Sequence, residues 1–293
     1  MRRVTISDIW FKFIVFLIIF IVFVSTLYPF WNIMIYSINN ATDSMKDALY
    51  LLPRVFTLAS YKTILSDPQI ISGFKVTCLR TLIGTPLSLF CITMLAYALS
   101  KRDLVGRKFL NIVFIFTMYF SGGLIPLYMV LKALHLIDNF WVFIFPNLIN
   151  VFYMILVRTF IEDLPISLEE AARIDGANDL QIFFRIVLPL SLPALAAIGL
   201  FLAVDNWNSW FDSYAFTYKP SLATLQAVMV KILMQYQTST GGANGAQIPV
   251  KGAVTPDSVR YAASMVATLP IILIYPFLQR YFTKGLMVGA IKD

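Results

Sequence analysis

Between Trp10 and Trp31 the chain runs for 22 residues with Lys12 as its one charged side chain. No water-soluble fold has a place for such a segment. As a helix it would hold its two indoles ~32 Å apart, close to the ~30 Å hydrocarbon thickness of a bilayer, with a ring at each interface. Met1-Arg2-Arg3 stands before it. A cleaved leader would have a shorter apolar core and a small-residue cleavage site. Neither is found, so the segment is expected to be an uncleaved first membrane span.

The rest of the chain repeats the pattern. Of 293 residues, 59% are hydrophobic and 13% charged, against about 25% charged in soluble domains. A globule of this composition would expose apolar patches that monomers in water do not tolerate. The fold class expected is an all-α integral membrane protein. The net charge of +7 does not point to nucleic acid, because Arg and Lys collect beside the spans, where they set orientation. Cys78 and Cys91 belong to one expected helix, ~20 Å apart along its axis, so they cannot bridge each other.

Six spans are expected, at about 10–31, 73–99, 109–131, 140–161, 189–210 and 262–281, forming one transmembrane domain over 1–293. Span two begins with Lys75 and Arg80 and reads as wet there, so its hydrocarbon portion is expected from about Leu82. Lys101, Arg102, Arg107 and Lys108 then mark a cytoplasmic turn. Ser121-Gly122-Gly123 and Pro126 fall inside the third span, where breakers need neighbours or a cavity to satisfy the freed backbone. His135, the one histidine, reads as a solvated loop residue. Two long polar stretches, 39–72 and 219–261, fall outside, and Pro270 and Pro276 are expected to kink the last span. Both termini are then cytoplasmic.

One polar segment between spans is itself patterned as helix: Ser167 to Pro193, within a loop over 162–188. All three glutamates of the chain, Glu162, Glu169 and Glu170, lie in it or just before it. Ser167 with Glu170 reads as a capping box. Gly176 sits where a left-handed C′ residue is needed. Asn178 can cap a second short helix through Phe183 and Phe184 to about Leu188, and Pro189 and Pro193 bracket the first turn of the fifth span. The result is two short helices meeting at a tight bend. Helix signals alone are equally those of an amphipathic connector.

The spacing says more. Glu170-Ala171-Ala172, then Gly176 after three residues, Ile186 after nine more, and Leu188-Pro189 resembles the EAA loop of ABC importer permeases, and with Asp175 it is most similar to the carbohydrate branch that includes the maltose system's second permease. AYALSKR at Ala96–Arg102, FSGGLIPLY at Phe120–Tyr128 and YPFLQRYFTKGLMVGAIKD at Tyr275–Asp293 also resemble family segments, closest to the lipoprotein and complex-polysaccharide subgroup. The resemblance implies the six-span type I importer (MetI-like) fold with a cytoplasmic coupling helix between spans four and five. It implies docking on the ATPase by Glu170, Ala171, Ala172, Asp175, Gly176, Ile186 and Pro189. The implied partners are a homologous second permease, most simply as a heterodimer, an ABC ATPase dimer that binds ATP and Mg, and an extracytoplasmic sugar-binding lipoprotein, in a bacterial cell membrane. It also implies that the tip near Thr240 to Gly245 reaches the binding protein and that the tail Lys284 to Asp293 touches the ATPases.

Chemistry of the chain's own is absent from the sequence. There is no GxxxxGK[ST], HExxH, CxxC or GxSxG, hence no phosphate cradle, metal spacing or catalytic residue to name. Asp205 is the one plausible carboxylate within a span, where a self-powered carrier would need several ionisable groups. Asn147, Asn150, Tyr153, Asp205, Asn206, Trp207 and Asn208, with Trp210, are the side chains that could read an oligosaccharide, amides taking hydroxyls and indoles stacking on rings. They could equally be interhelical glue. A permease for another solute, such as polyamines or phosphate, an ATP-independent carrier or channel, and a membrane scaffold without transport remain the alternatives.

Overall fold

The structure is a computed structural model that describes residues 6–48, 51–241, 254–255 and 257–273. Every regular element among them is helical, apart from an isolated bridge between Asn39 and Phe56. The described residues fall into two units, those within 6–68 and 231–269, and those within 69–230 and 270–273.

In the first unit, α1 (Ile6–Ile38) continues seven residues past the expected end at Trp31. Its apolar stretch is not buried within the chain, as suits a helix that faces lipid or another subunit. Pro29 removes one backbone donor, and the hydroxyls of Ser25 and Thr26 donate to the Val22 carbonyl at 3.0 and 2.7 Å, so these two side chains bring no unpaired polar group into hydrocarbon. The polar stretch after α1 is tied down. Buried Asn39 donates to the Asp43 carboxylate and the Ser44 hydroxyl and accepts from the Val55 amide, while Arg54 donates to Asp43 at 2.9 Å.

The second unit opens with α2 (Pro68–Ser100). At its start Lys75 is exposed, whereas Arg80 is 1% exposed and paired with Asp212, buried inside the protein. The third expected span is two helices, α3 (Arg107–Tyr119) and α4 (Leu124–Ala133), bent by 116°. Gly123 at φ +90 lies in a region closed to other residues, and Pro126 can stand only in the first turn of a new helix. Span four is likewise not one helix from residue 140. Two 3-10 turns, Phe140–Phe143 and Phe145–Asn147, precede α5 (Val151–Glu162), whose N-terminus the Asn150 side chain caps.

α6 (Ile166–Ile174) and α7 (Asp179–Ile182) follow, and α7 runs on through a π turn to Leu190. The chain then bends by 78° into α8 (Leu192–Asn208), three residues later than Pro189, and α9 (Phe211–Phe216) comes next. The second polar stretch is no plain loop. It contains a helix, Leu225–Gly241, because LQAVMVKILMQ is rich in helix formers and Thr224 accepts from the Ala227 amide.

Among the described residues two helices alone could cross a membrane, Trp10–Ile38 and Pro68–Ser100, and three bent pairs raise this to five. A helix over 257–273 holds the start of the sixth expected span. Residues 274–281, Pro276, the tip 242–245 and the tail from Tyr275 to Asp293 lie outside the described residues.

The main core joins α2, α5, α8 and the arm returning from the bend through Ile92, Tyr97, Val157, Phe183 and Ile198. A second cluster gathers Val142, Phe143 and Phe216.

Candidate functional site

Two sites stand out, a bend at one end of the second unit and a polar cavity between its helices. The bend is over-determined. At the end of α6 the Ala177 amide donates to the Ala172 carbonyl at 2.9 Å and the Gly176 amide to the Arg173 carbonyl at 3.0 Å, with Gly176 at φ +83. This is the Schellman arrangement, which needs a left-handed C′ residue. Asn178 and Gln181 then form a reciprocal capping box at α7. The box expected at Ser167 and Glu170 is not formed. α6 starts two residues earlier, with Pro165 in the N-cap position, so Ser167 falls inside the first turn and Glu170 is not drawn back to the backbone.

That shift separates the three glutamates. Glu162 accepts from Arg107 at 2.6 Å and Arg158 at 2.9 Å, and Glu169 pairs with Lys101. Glu170 is exposed and has no hydrogen bond or ion pair among the described residues. Ala171, Asp175 and Gly176 are exposed with it. Ile174, 86% exposed, and Leu180, 63% exposed, add apolar surface. Ala172 is half-buried and packs on the core, Ile186 is half-buried, and Pro189 is exposed. Beside α6 lies a cleft of about 790 Å³ lined by Lys101, Arg102, Arg107, Glu162, Glu169 and Glu170. Arg173 and Asp179 pair across the bend at 3.0 Å, and the aspartate's charge raises the Arg173 pKa further. Both are exposed, so the pair contributes little.

The cavity, about 260 Å³, brings together Asn147, Asn150, Asp205 and Asn206 of the sequence-derived set. Tyr153 donates its hydroxyl to Asp205 at 2.8 Å, and Asn206 donates to Thr85 at 3.3 Å. Trp207 does not line it. It is buried, with Phe74 edge-on at 5.8 Å. Asn208 does not line it either and is exposed. Oriented acceptors and amides around a carboxylate can take the hydroxyls of a polyol.

Sequence reasoning missed the strongest polar contact at the cavity wall. Arg80 of α2 meets both carboxylate oxygens of Asp212 of α9, while Ser209 and the Ser213 amide also donate to that carboxylate. The guanidinium lies 5.3 Å from the Phe143 ring centroid. Asp205 is therefore not alone as a carboxylate at this depth. The signal was available: an arginine inside an apolar helix must have a partner. The one histidine, His135, is exposed and takes the left-handed position after α4, φ 54. Cys78 and Cys91 are free thiols. Among the described residues no cluster of metal-ligating side chains occurs.

An all-helical chain with apolar helices of membrane length, a rigid exposed bend and a polar cavity between its helices has the layout of a membrane transport subunit. The chain belongs to the family of binding-protein-dependent transport system inner membrane components, which matches residues 77–288. It is 39% identical over 90% of its length to 92% of the polygalacturonan/rhamnogalacturonan transport system permease protein YtcP of Bacillus subtilis (strain 168). It is 27% identical to the arabinooligosaccharides transport system permease protein AraQ of Halalkalibacterium halodurans, covering 93% of each chain. Among solved structures it resembles a chain of a bacterial ABC transporter involved in the import of the acidic polysaccharide alginate, with a TM-score of 0.87, 30% identity, and 96% and 100% of the two chains covered. The fold is the MetI-like permease fold, and the chain is a transport subunit.

Proposed function

We propose that this chain is one of two homologous permeases of an ATP-driven importer that receives oligosaccharides from an extracytoplasmic binding protein. The substrate class rests on relatives named for polygalacturonan/rhamnogalacturonan and arabinooligosaccharide transport and on the alginate importer, together with a cavity of amides and a carboxylate. One transmembrane domain, residues 1–293, crosses the membrane six times, the bent pairs each counting as one crossing. The segment 162–188 is the coupling loop. Glu170, Ala171, Asp175 and Gly176 face the ATPase, while Ala172, Ile186 and Pro189 hold the bend that presents them. ATP and Mg bind on that partner. Both termini are cytoplasmic, a reading supported by the basic turn after α2, whose Lys101 pairs with Glu169 in this loop. Asn147, Asn150, Tyr153, Asp205 and Asn206 line the sugar path. Trp207 and Asn208 flank it.

The observation that carries this reading is Glu170, exposed and without a partner among the described residues, on a bend that two capping motifs hold. Glu170→Lys in the co-expressed importer is expected to abolish co-purification of the ATPase. It should also lower uptake of a panel of galacturonate, arabinose and alginate oligosaccharides at least tenfold, with membrane insertion intact. Unchanged uptake and unchanged co-purification together remove the docking assignment.

A further inference from the structure

The two adjacent glutamates of α6 stand about 100° apart around the helix, and the half-buried one, Glu169, reaches the end of α2 while Glu170 is exposed. Glu169 is paired with Lys101, the two side chains 22% and 17% exposed. The Lys101 ammonium also lies 4.2 Å from the Tyr97 ring centroid. Tyr97 is buried, and its other neighbour is Phe183 in the arm returning from the bend, ring centroids 5.4 Å apart. Phe90, two turns further along α2, stacks on Phe184 of the same arm at 6.3 Å. The last turns of α2 therefore grip the incoming helix of the bend by a half-buried ion pair and the outgoing arm by aromatic packing. α2 then runs unbroken from Lys101's neighbour Ser100 to Arg80 in the wall of the polar cavity, a distance of ~30 Å at 1.5 Å per residue.

We propose that the Lys101–Glu169 pair, seated on Tyr97, is the joint that carries displacement of the coupling bend into α2 and so to the cavity. Glu169 and Lys101 are positioning residues. They hold α6 to α2 and do not hold the ATPase, which is the part of Glu170. This inference rests on the coupling role proposed above. A half-buried pair suits the task, because removing one charge leaves the other without its partner in a partly desolvated place.

The test uses the importer co-expressed with its second permease and ATPase and reconstituted in proteoliposomes. ATP hydrolysis is measured with and without sugar-loaded binding protein. Glu169→Gln and Lys101→Met are expected to lower the stimulation by binding protein at least tenfold while the ATPase still co-purifies in full. The exchanged pair Lys101→Glu with Glu169→Lys should return the stimulation to within about threefold of the parent, a recovery that a general loss of folding would not give. Three results overturn the inference: single variants with undiminished stimulation, an exchanged pair no better than the singles, or loss of ATPase co-purification in Glu169→Gln, which would make Glu169 a docking residue. Failure of the coupling reading itself is separable, since Glu170→Lys would then also keep its ATPase.

Discussion

The bend and the cavity are both polar interruptions in an apolar chain, yet they are held by different means. At the bend the contacts that set the turn itself are local, and the long-range ones, Lys101–Glu169 and Tyr97–Phe183, tie the finished turn to α2. The Schellman hydrogen bonds, the Asn178–Gln181 box and the Arg173–Asp179 pair all join residues within six positions of each other. At the cavity the fixing contact joins Arg80 to Asp212 across most of the unit, deep in the protein. A locally specified surface can be exposed and still rigid, which suits docking. A site between membrane helices has no water to fall back on, so its charges must find each other through the fold.

The largest effect expected from breaking this contrast lies at the cavity wall. Arg80→Leu or Asp212→Leu leaves the other charge buried and unpaired, at a cost of about 3–5 kcal/mol. Removing both at once by Arg80→Leu with Asp212→Leu should recover most of that loss, since an apolar pair of similar volume replaces the ion pair. Unfolding midpoints of the four proteins in nanodiscs measure it. Near-neutral single variants would mean that the pair behaves as a surface contact and that the two regions do not differ in kind.

The same contrast explains what could be read without the fold. Gly176, Asn178 and the exposed Glu170 lie within nine residues, and their spacing alone gave the bend. Even there, the helix starts two positions early, with Pro165 as its N-cap, and the box expected at Ser167 is not formed. The helices were legible from apolar runs, but their breaks were not. Ser121-Gly122-Gly123 had the pattern of a flaw within one span and is a 116° turn between two helices. Asp205 was recognised as a carboxylate at membrane depth, whereas Asp212 was read as lying past the end of the fifth span. Nothing in the periodicity of α2 says that Arg80 will meet it. Trp207 has both readings in the sequence, stacking on a sugar ring or packing between helices, and in the fold it is buried with Phe74 edge-on.

A smaller effect is expected at the bend, and it is one of conformation alone. Nothing lies within 4 Å of where a Cβ on Gly176 would stand, so a substitution there meets no clash. Gly176→Val still has to hold φ near +83, which costs about 1–2 kcal/mol for an L side chain. Gly176→Asn, which tolerates the left-handed region, should lose far less. The expected readout is faster hydrogen exchange at the Ala177 amide in the valine variant and near-parent exchange in the asparagine variant. Equal exchange in both would show that the bend is held by its surroundings, as the cavity is, and not by its own backbone.

The smallest effect tests whether the far side of the second cluster follows the local rule or the long-range one. Asp138, φ 58, accepts from the amides of Tyr218 and Lys219 at 2.6 and 3.1 Å, while its own amide donates to the Phe216 carbonyl at 3.1 Å. These bonds clasp the turn after α4 to the end of α9, and the two backbone donors hold the carboxyl below its ordinary value, the Tyr218 amide contributing most. A carboxylate whose pKa is depressed on folding contributes stability that is fully present above its unfolded value of ~3.9 and is lost as pH falls through the lower folded value. The Tyr218 and Lys219 amides should therefore lose protection from exchange only in acid, while the Ala177 amide at the bend, which no carboxylate holds, keeps its own. Asp138→Asn should remove the acid dependence at Tyr218 and Lys219 and leave Ala177 unchanged. Because Asp138 is only half-buried, the change should be modest. Acid loss that spreads to the bend would instead mean that the two regions open together, and the division between local and long-range fixing would not hold.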